Sequence, residues 1–327
     1  MNYFQGKKVC VTGGAGFVGS HFVDIFLDVG AHVFVPVHNK LPHRHHPHLK
    51  TAKADLECIG DSVKCIKGSD IVVHCAGGVA NSITSPHAAL SLITRYLSMA
   101  ANVVEAAARN GVERVLLFSS STGYPKKRRC VIENDFWSGE PDPRYFGYGW
   151  MRRYIERLSE YATSSSDTQF RVVRPTALYG PRSKFNIRHG QVISSLIEQS
   201  LQTSDRLVVR GNGADQRDLM YITDFVEICI RFLGLDPYPG PTNIASGKSA
   251  TIKKIAELVA KYTPGPSKVI EFTEPDHTEV FSRKVSNKKM RDLLKVSPTT
   301  TLENGIQKTI AWRISEVSNS VGIVSLH

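Results

Sequence analysis

Tyr148 and Arg152 are the residues whose types and spacing most directly indicate chemistry, in the segment FGYGWMRRY, residues 146–154. Residues four positions apart share one face of a helix, so a helix here would place the guanidinium beside the phenol. A free phenol has a pKa of about 10, and a neighbouring cation favours its ionised form. The pair is therefore a candidate acid–base catalyst that exchanges a proton with a substrate hydroxyl while a hydride moves.

A glycine-rich segment, TGGAGFVG, places Gly13, Gly16 and Gly19 after an apolar run and at the start of a helical pattern. Glycines at such a turn let backbone N–H groups approach a pyrophosphate at the positive end of the helix. In this strand–turn–helix context the triplet predicts a dinucleotide site. Phe17 and Val18 lie inside the segment and are predicted to contact the same cofactor.

The elements that must position these residues alternate regularly along the first 125 residues. Four apolar segments are predicted strands (KKVCVTG, HVFVPV, IVVHCAG and RVLLFSS), and the longer amphipathic stretches between them are predicted helices. Strands separated by helices of this length indicate right-handed βαβ units. We therefore predict an α/β fold with a doubly wound parallel (Rossmann) sheet, which FRVVRP, residues 170–175, continues.

The pattern loosens after about residue 180, where shorter helices and strands are separated by Pro- and Gly-rich turns. We expect residues 1–180 to form the dinucleotide-binding part and to carry the catalytic group. Residues 181–327 are expected to form a smaller mixed α/β substrate region. Some of its segments, such as 215–235, are expected to return to the first part.

The end of the second predicted strand bears on which nicotinamide cofactor binds. A carboxylate there would bond the adenosine ribose and repel a 2′-phosphate. Here HVFVPVHNK presents His38, Asn39 and Lys40 without an acid, and Arg44 follows, so NADP(H) is favoured over NAD(H). The remaining residues expected to contact the cofactor are Asp55, Leu56, Ala76, Gly77 and Pro175.

The segment HNKLPHRHHPHLK, residues 38–50, carries five histidines and could suggest a metal site. Two prolines interrupt it, so no helix can bring the histidines to i and i+4 spacing. We expect a polar loop beside the cofactor and predict no metal.

Composition limits the class of protein. The 327 residues are 41% hydrophobic and contain no apolar run long enough to span a bilayer. Because MNYFQGKKVCVTG leads directly into a predicted strand, we expect no cleavable signal. Six scattered cysteines without CxxC pairs are typical of reduced thiols, so we expect a cytoplasmic protein. The net charge of +11 is spread along the chain without a recognition motif for nucleic acid, and an attraction for anionic small molecules explains it equally well.

Several motifs occur together in a known family. TGGAGFVGSH, HCAG, LLFSSSTGYP, the Tyr148 segment, VVRPTALYGPR and GADQRDLMYITDF resemble, in order and spacing, the extended short-chain dehydrogenase/reductase family. Within it the match is to the nucleotide-sugar epimerases, dehydratases and reductases, and it covers nearly the whole chain. The resemblance implies a nucleotide-diphosphate sugar as substrate, NADP or NAD as cofactor, and a homodimer packed through two long helices such as 90–110 and 148–163.

The family's catalytic group is Ser or Thr, Tyr and Lys, and here Arg152 stands at the lysine position. A guanidinium keeps its charge but cannot release a proton into a relay, so we expect activity that is retained but slower or retuned. A decayed site is the alternative. Counted back from Tyr124, the hydroxyl partner is expected at Ser120, with Ser121 as the alternative. Arg153 is expected to be a surface charge.

Departures from the family narrow the chemistry. Its dehydratases carry an Asp-Glu pair where this chain has Ser121 and Thr122, which argues against dehydration. The cysteine and histidine of its 3,5-epimerising members would fall at Thr122 and Gln191, although His189 lies two residues from the second. What remains is hydride transfer at C4, either C4 epimerisation through a transient ketone or reduction of a 4-keto sugar. A non-catalytic dinucleotide-binding regulator or scaffold is the alternative, because of Arg152.

The resemblance also implies a sugar and diphosphate site after the strand FRVVRP. Arginines clamp the diphosphate in the family, since a guanidinium binds phosphate through paired hydrogen bonds. Asn102 is expected either to contact the site or to cap a buried polar path. The residues expected to contact the substrate are Thr122, Thr176, Tyr179, Arg217, Tyr221 and Arg283.

Overall fold

The computed structural model describes residues 2–77, 86–127, 129–187, 190–203, 205–274 and 282–324, and its strands and helices are assigned within them. The strands are β1 (Lys8–Thr12), β2 (His32–Val37), β3 (Leu49–Lys53), β4 (Ile71–His74), β5 (Arg114–Phe118), β6 (Gln169–Pro175), β7 (Ala177–Tyr179), β8 (Arg206–Val209), β9 (Gln216–Tyr221), β10 (Thr242–Ile244), β11 (Ser249–Thr251) and β12 (Val269–Phe272). The helices are α1 (Phe17–Asp28), α2 (Ile59–Ile66), α3 (Pro86–Arg109), α4 (Phe146–Ser164), α5 (Val192–Gln202), α6 (Ile222–Leu233), α7 (Ile252–Tyr262), α8 (Lys288–Leu294) and α9 (Leu302–Val324).

Seven of these strands, all parallel, form the central sheet in the order β3-β2-β1-β4-β5-β6-β10. β1 pairs with β2 on one side and with β4 on the other, so the winding of the sheet reverses between β1 and β4. In open α/β sheets ligands bind outside the carboxyl ends of the strands at such a reversal. The prediction of a doubly wound α/β fold is confirmed.

Helices cover both faces of the sheet, which explains the uninterrupted apolar runs of its central strands. Every residue of β4 is buried, as are the first four of β5. On one face α1 and α6 pack through Phe22, Phe26 and Phe225. On the other face α2, α3 and α4 pack, and Val103 of α3 and Ile155 of α4 lie in the same core.

The edge strand β3 is not indicated by the sequence pattern. Its segment LKTAK is exposed at four of its five positions. Only the backbone bonds to β2 define it as a strand. An edge strand with little burial carries no apolar alternation, so local sequence cannot distinguish it from a loop.

The second part of the chain, together with β7 at the end of the first part, builds a smaller layer over the carboxyl edge of the central sheet. β7, β9 and β11 form one small sheet, and β8 pairs with β12 in another. A separate core joins α5, α7 and α9 through Ile193, Ile255 and Ile306. α6 and β10 return to the first part, because α6 packs on α1 and β10 pairs with β6. None of the helices that the structure describes is both long and apolar enough to cross a membrane.

Candidate active site

A cleft of about 1910 Å³ lies between the carboxyl edge of the central sheet and the second part of the chain. Its walls include the glycine-rich turn after β1, the ends of β4 and β5, the first turns of α4 and the segment after β6. Except for Tyr221 and Arg44, the residues predicted from the sequence to form the site line this cleft.

The glycine-rich turn between β1 and α1 has the geometry of a cradle for a phosphate group. Gly13 adopts a φ of +66°, and a Cβ built there would lie 2.6 Å from the backbone nitrogen of Ala76. Only glycine fits that position. α1 begins at Phe17 and has no side-chain cap. Because Gly16 and Phe17 line the cleft, the positive end of the helix dipole faces it. These residues fit a dinucleotide.

Tyr148 and Arg152 both lie on α4, as their spacing predicts, and both line the cleft. Tyr148 is 8% exposed. Arg152 donates from Nη1 to the carbonyl oxygen of Phe118 at 2.7 Å, while its Nε is buried and has no hydrogen-bond partner. Burial lowers the pKa of Arg152, and the nearby phenols of Tyr148 and Tyr96 oppose that shift. One donor of the guanidinium thus anchors the side chain, and the charge remains beside Tyr148.

The hydroxyl candidates lie on a 3₁₀ turn, Ser121–Gly123, that follows β5. Ser120 caps this turn, because its Oγ accepts a hydrogen bond from the backbone nitrogen of Thr122 at 3.1 Å. The hydroxyls of Ser119 and Thr122 are buried without a partner. Buried hydroxyls are normally bonded, and both residues line the cleft, so a polar group bound there is the expected partner.

His74, at the end of β4, was not among the predicted site residues. Its Nδ1 lies 2.8 Å from the hydroxyl of Thr12, which also accepts a hydrogen bond from the nitrogen of Ala76. Burial and the charge of Arg152 lower the pKa of His74 to about 3. A neutral imidazole therefore lies near Arg152. Its position as the last residue of a buried strand, two residues before Ala76, was the available sequence signal.

The end of β2 forms another part of the cleft. His38, Asn39 and Lys40, which are predicted to contact the cofactor, are exposed there and line the cleft. Asp55 and Leu56 lie on the same wall of the cleft. Asn102 of α3 holds this segment in place, because it donates to the carbonyl oxygens of Leu56 at 2.9 Å and Glu57 at 3.0 Å.

Arg44, expected beside the cofactor, does not line the cleft and pairs with Asp28 of α1 at 2.8 Å. His43 in the same loop contacts Arg182, and Arg182 pairs with Asp24 of α1 at 2.7 Å. These contacts hold the loop against α1. The described residues contain no group of three or more histidine, cysteine or acidic side chains arranged to hold a metal ion.

The substrate side of the cleft includes Thr176, Tyr179, Arg217 and Arg283. Thr176 donates to Asp218, and Arg217 pairs with Asp215 at 3.2 Å. Arg283 donates to the carbonyl oxygen of Ser121 at 2.8 Å and to Asp142 at 3.3 Å, so it contacts the hydroxyl turn directly.

The observed positions of Tyr221 and Arg153 differ from the expectations. Tyr221 is buried in the core, with its ring 5.5 Å from that of Tyr179, and it does not line the cleft. Arg153, expected on the surface, is 2% exposed. Gln191 and Thr122 line the cleft, whereas His189 lies outside the described residues.

Known proteins resemble this chain in both sequence and fold. The sequence model of the NAD dependent epimerase/dehydratase family matches residues 9–245. GDP-mannose 3,5-epimerase 1 of Oryza sativa subsp. japonica is 25% identical over 318 residues, covering 93% of this chain and 81% of the relative. The dTDP-4-dehydro-6-deoxy-D-allose reductase of a Streptomyces species is 25% identical over 323 residues, covering 94% and 97%. The structure of MoeE5 in complex with UDP-glucose and NAD has a TM-score of 0.80 at 25% identity, covering 95% of this chain and 99% of that one.

Proposed function

The chain belongs to the NAD-dependent epimerase/dehydratase family, and on that premise we propose that it transfers hydride at C4 of a nucleotide-linked sugar. It acts as a 4-keto-sugar reductase or as a C4 epimerase. The observation that carries this proposal is the placement of Tyr148, Arg152 and the hydroxyl turn after β5 around one cleft, beside the glycine cradle. Relatives that match more than nine-tenths of the chain include a GDP-mannose 3,5-epimerase and a dTDP-4-dehydro-6-deoxy-D-allose reductase, and the reductase is named for a 4-keto sugar.

Each of these residues has a proposed task. A nicotinamide dinucleotide, when bound, supplies the acceptor and donor of hydride. Tyr148 moves a proton to or from the oxygen on C4, and Arg152 favours the ionised phenol because its charge lies beside it. Ser120, with Ser121 as the alternative, holds the same oxygen. His74 remains neutral and adds no second cation next to Arg152.

The dinucleotide is proposed to be NADP(H) in preference to NAD(H). No carboxylate occupies residues 38–40, where one would repel a 2′-phosphate, and Lys40 supplies a positive charge. The cofactor contacts are assigned to the cradle, the end of β2, the wall of Asp55 and Leu56, and Ala76, Gly77 and Pro175.

Residues 1–180 are proposed to hold the cofactor and the catalytic group, and residues 181–327 the nucleotide sugar, with α6 returning to the first part. Arg217 and Arg283 are assigned to the diphosphate, and Thr176 and Tyr179 to the sugar. Thr122 and Gln191 contribute neither a thiol nor an imidazole, which supports chemistry at C4 alone.

A homodimer through α3 and α4 is proposed because large apolar side chains of both helices are exposed. Leu90, Phe146, Trp150 and Tyr154 are each at least 40% exposed. Scattered exposed apolar residues are ordinary, but Phe146, Trp150 and Tyr154 recur every four residues along α4, and such a row favours an interface. The free cysteines support a cytoplasmic location.

The decisive experiment is mass spectrometry of the small molecules that copurify with the protein, followed by turnover of a nucleotide-sugar panel. Oxidation of NADPH by a 4-keto-6-deoxy nucleotide sugar supports the reductase. Conversion of a UDP- or GDP-sugar to its C4 epimer, with stoichiometric bound dinucleotide, supports the epimerase. If the dinucleotide binds but no sugar of the panel is converted, the non-catalytic regulator replaces this proposal.

A further inference from the structure

Arg153 is a buried cation that the proposed reaction does not use. Its Nε donates to the carbonyl oxygen of Gly123 at 2.9 Å. Its Nη2 donates to the carbonyl oxygens of Phe136 and, at 2.6 Å, Gly139. Among the described residues no carboxylate pairs with it directly, and Glu156 and Glu140 act only from a greater distance.

Burying a permanent charge without a paired carboxylate is unfavourable, so other interactions must offset the desolvation cost of Arg153. The carbonyl oxygens satisfy the donors, and the rings of Trp137 and Trp150 lie 5.2 and 5.1 Å from the guanidinium carbon. An apolar side chain would fill this volume without the cost of a buried charge. What an apolar side chain cannot do is hold three carbonyl oxygens from two loops at fixed positions.

Two adjacent rows of residues on α4 relate these contacts to the reaction. Tyr148 and Arg152 form one row, one helical turn apart, and Gly149 and Arg153 form the next. A Cβ built on Gly149 would lie 2.8 Å from the carbonyl oxygen of Thr122, so the helix lies directly against the hydroxyl turn. One turn further along, Arg153 holds the carbonyl oxygen of the next residue, Gly123.

The same turn carries the hydroxyl candidates. Its backbone is closed by hydrogen bonds from the nitrogen of Gly123 to the oxygen of Ser120 at 3.1 Å and from the nitrogen of Thr122 to the hydroxyl of Ser120 at 3.1 Å. A shift of Gly123 would therefore move the hydroxyl of Ser120 relative to α4. The phenol on α4 and that hydroxyl must reach one substrate oxygen together.

We propose that Arg153 is a positioning residue, which locks the turn Ser120–Gly123 against α4 and so fixes the separation between its hydroxyls and Tyr148. The inference rests on the proposed function, since a fixed separation matters only if both groups act on one substrate. Arg153 does not line the cleft. Its effect is transmitted through the backbone of Gly123.

The test compares Arg153→Met, Arg153→Lys and Gly149→Ala with the wild type. Displacement of a catalytic group by about 1 Å can cost on the order of 100-fold in rate, so kcat for Arg153→Met should fall by about 10- to 100-fold. The Kd of NADPH should stay within about threefold, because the residues assigned to the cofactor lie outside this turn. The KM of the nucleotide sugar should change less than kcat, although Arg283 donates to the carbonyl oxygen of Ser121 in the turn. Arg153→Lys, which keeps one charged donor, should restore part of kcat. Gly149→Ala should lower kcat in the same manner, because its methyl group would press on the carbonyl oxygen of Thr122 as well as on the side chain of Pro141.

The matched control is Arg157→Met, one turn further along α4. Arg157 is 57% exposed, pairs with Glu160 at 2.6 Å and stacks on Trp137 at 4.2 Å, so this change removes an arginine without touching the turn. Its kcat should equal that of the wild type. An unchanged kcat in both Arg153→Lys and Gly149→Ala would overturn the inference, even if Arg153→Met does not fold.

Hydrogen exchange of the NADPH-loaded protein decides the same question without a substrate. In Arg153→Lys and Gly149→Ala the amides of residues 122–124 should exchange faster, while those of β6 and α7 remain as in the wild type. Unchanged exchange at residues 122–124 would overturn the inference. If the wild type converts no sugar of the panel but the variants still exchange faster at residues 122–124, the proposed function is wrong. The inference that Arg153 holds the turn against α4 is then still supported.

Discussion

A buried ion pair between Glu156 and Arg174 joins α4 to β6 of the central sheet. The carboxylate accepts from Nε of Arg174 at 2.9 Å and from Nη2 at 2.8 Å. The two side chains are 4% and 3% exposed. Arg174 also donates to the hydroxyl of Tyr124 at 3.2 Å and the carbonyl oxygen of Glu133 at 3.0 Å. Glu156→Gln removes the negative charge with almost no change in shape and leaves Arg174 charged and buried.

The expected loss follows from this geometry. Two unit charges about 4 Å apart interact by about 4 kcal/mol at an effective dielectric constant near 20. Removing one partner of a buried pair costs about 3–5 kcal/mol, because the other charge is left uncompensated. We therefore expect Glu156→Gln to lower the free energy of unfolding by about 3–4 kcal/mol, a large share of a typical total of about 5–15 kcal/mol.

Urea unfolding measures this loss as a shift of the midpoint at an unchanged slope. Glu160→Gln is the control, since Glu160 and its partner Arg157 are 67% and 57% exposed. An exposed pair is worth at most about 1 kcal/mol. Adding Arg174→Met to Glu156→Gln should recover much of the loss, because the orphaned charge is removed. A loss from Glu156→Gln no larger than that of the control would refute the reasoning.

Three further predictions concern catalysis, cofactor choice and pH. Tyr148→Phe should lower kcat by about 10²–10⁴-fold while NADPH still binds, because the proton donor is removed. Arg152→Lys should also change kcat measurably. Unchanged turnover in both variants would exclude the pair as the catalytic group. His38→Asp should weaken NADPH binding by about tenfold, or about 1.4 kcal/mol, relative to NADH, because a carboxylate repels a 2′-phosphate; equal Kd ratios measured by titration would contradict the cofactor assignment. Burial and the charge of Arg182 lower the pKa of His21 to about 4 in the folded protein. Between pH 6.5 and about 4 the unfolded chain therefore binds more protons at this residue than the folded protein does. The free energy of unfolding should fall as the pH is lowered through that window. His21→Gln should flatten this loss in urea midpoints, and parallel pH profiles of variant and wild type would refute it.

Local patterns were sufficient for much of the site. The glycine segment 13–19 predicts its own turn, because only that residue type allows the backbone at Gly13. The four-residue spacing of Tyr148 and Arg152 needs only a helix to bring them together, and α4 supplies it. The hydroxyl turn was located through resemblance to a family, since SSST alone could end any buried strand.

Other expectations failed because they depend on what neighbouring elements supply. Two consecutive arginines on α4 look alike in sequence, yet Arg152 reaches the cleft and Arg153 is enclosed by two loops. Arg44 is near His38 and Lys40 in the chain but pairs with α1. Tyr221 ends a strand on the correct edge, but its ring turns into the core of the second part. In each case the partner lies on an element remote in sequence.

The sequence by itself determined the alternation of strands and helices, the cradle between β1 and α1, and the pairing of a phenol with a cation along one helix. These are consequences of periodicity and backbone geometry, which act over a few residues. Only the tertiary structure decided which cations are enclosed, which hydroxyls lack partners and how closely α4 lies against the turn after β5. Those properties depend on burial and on contacts between distant segments, and the free energy of a charged or polar group is set by its surroundings more than by its own identity.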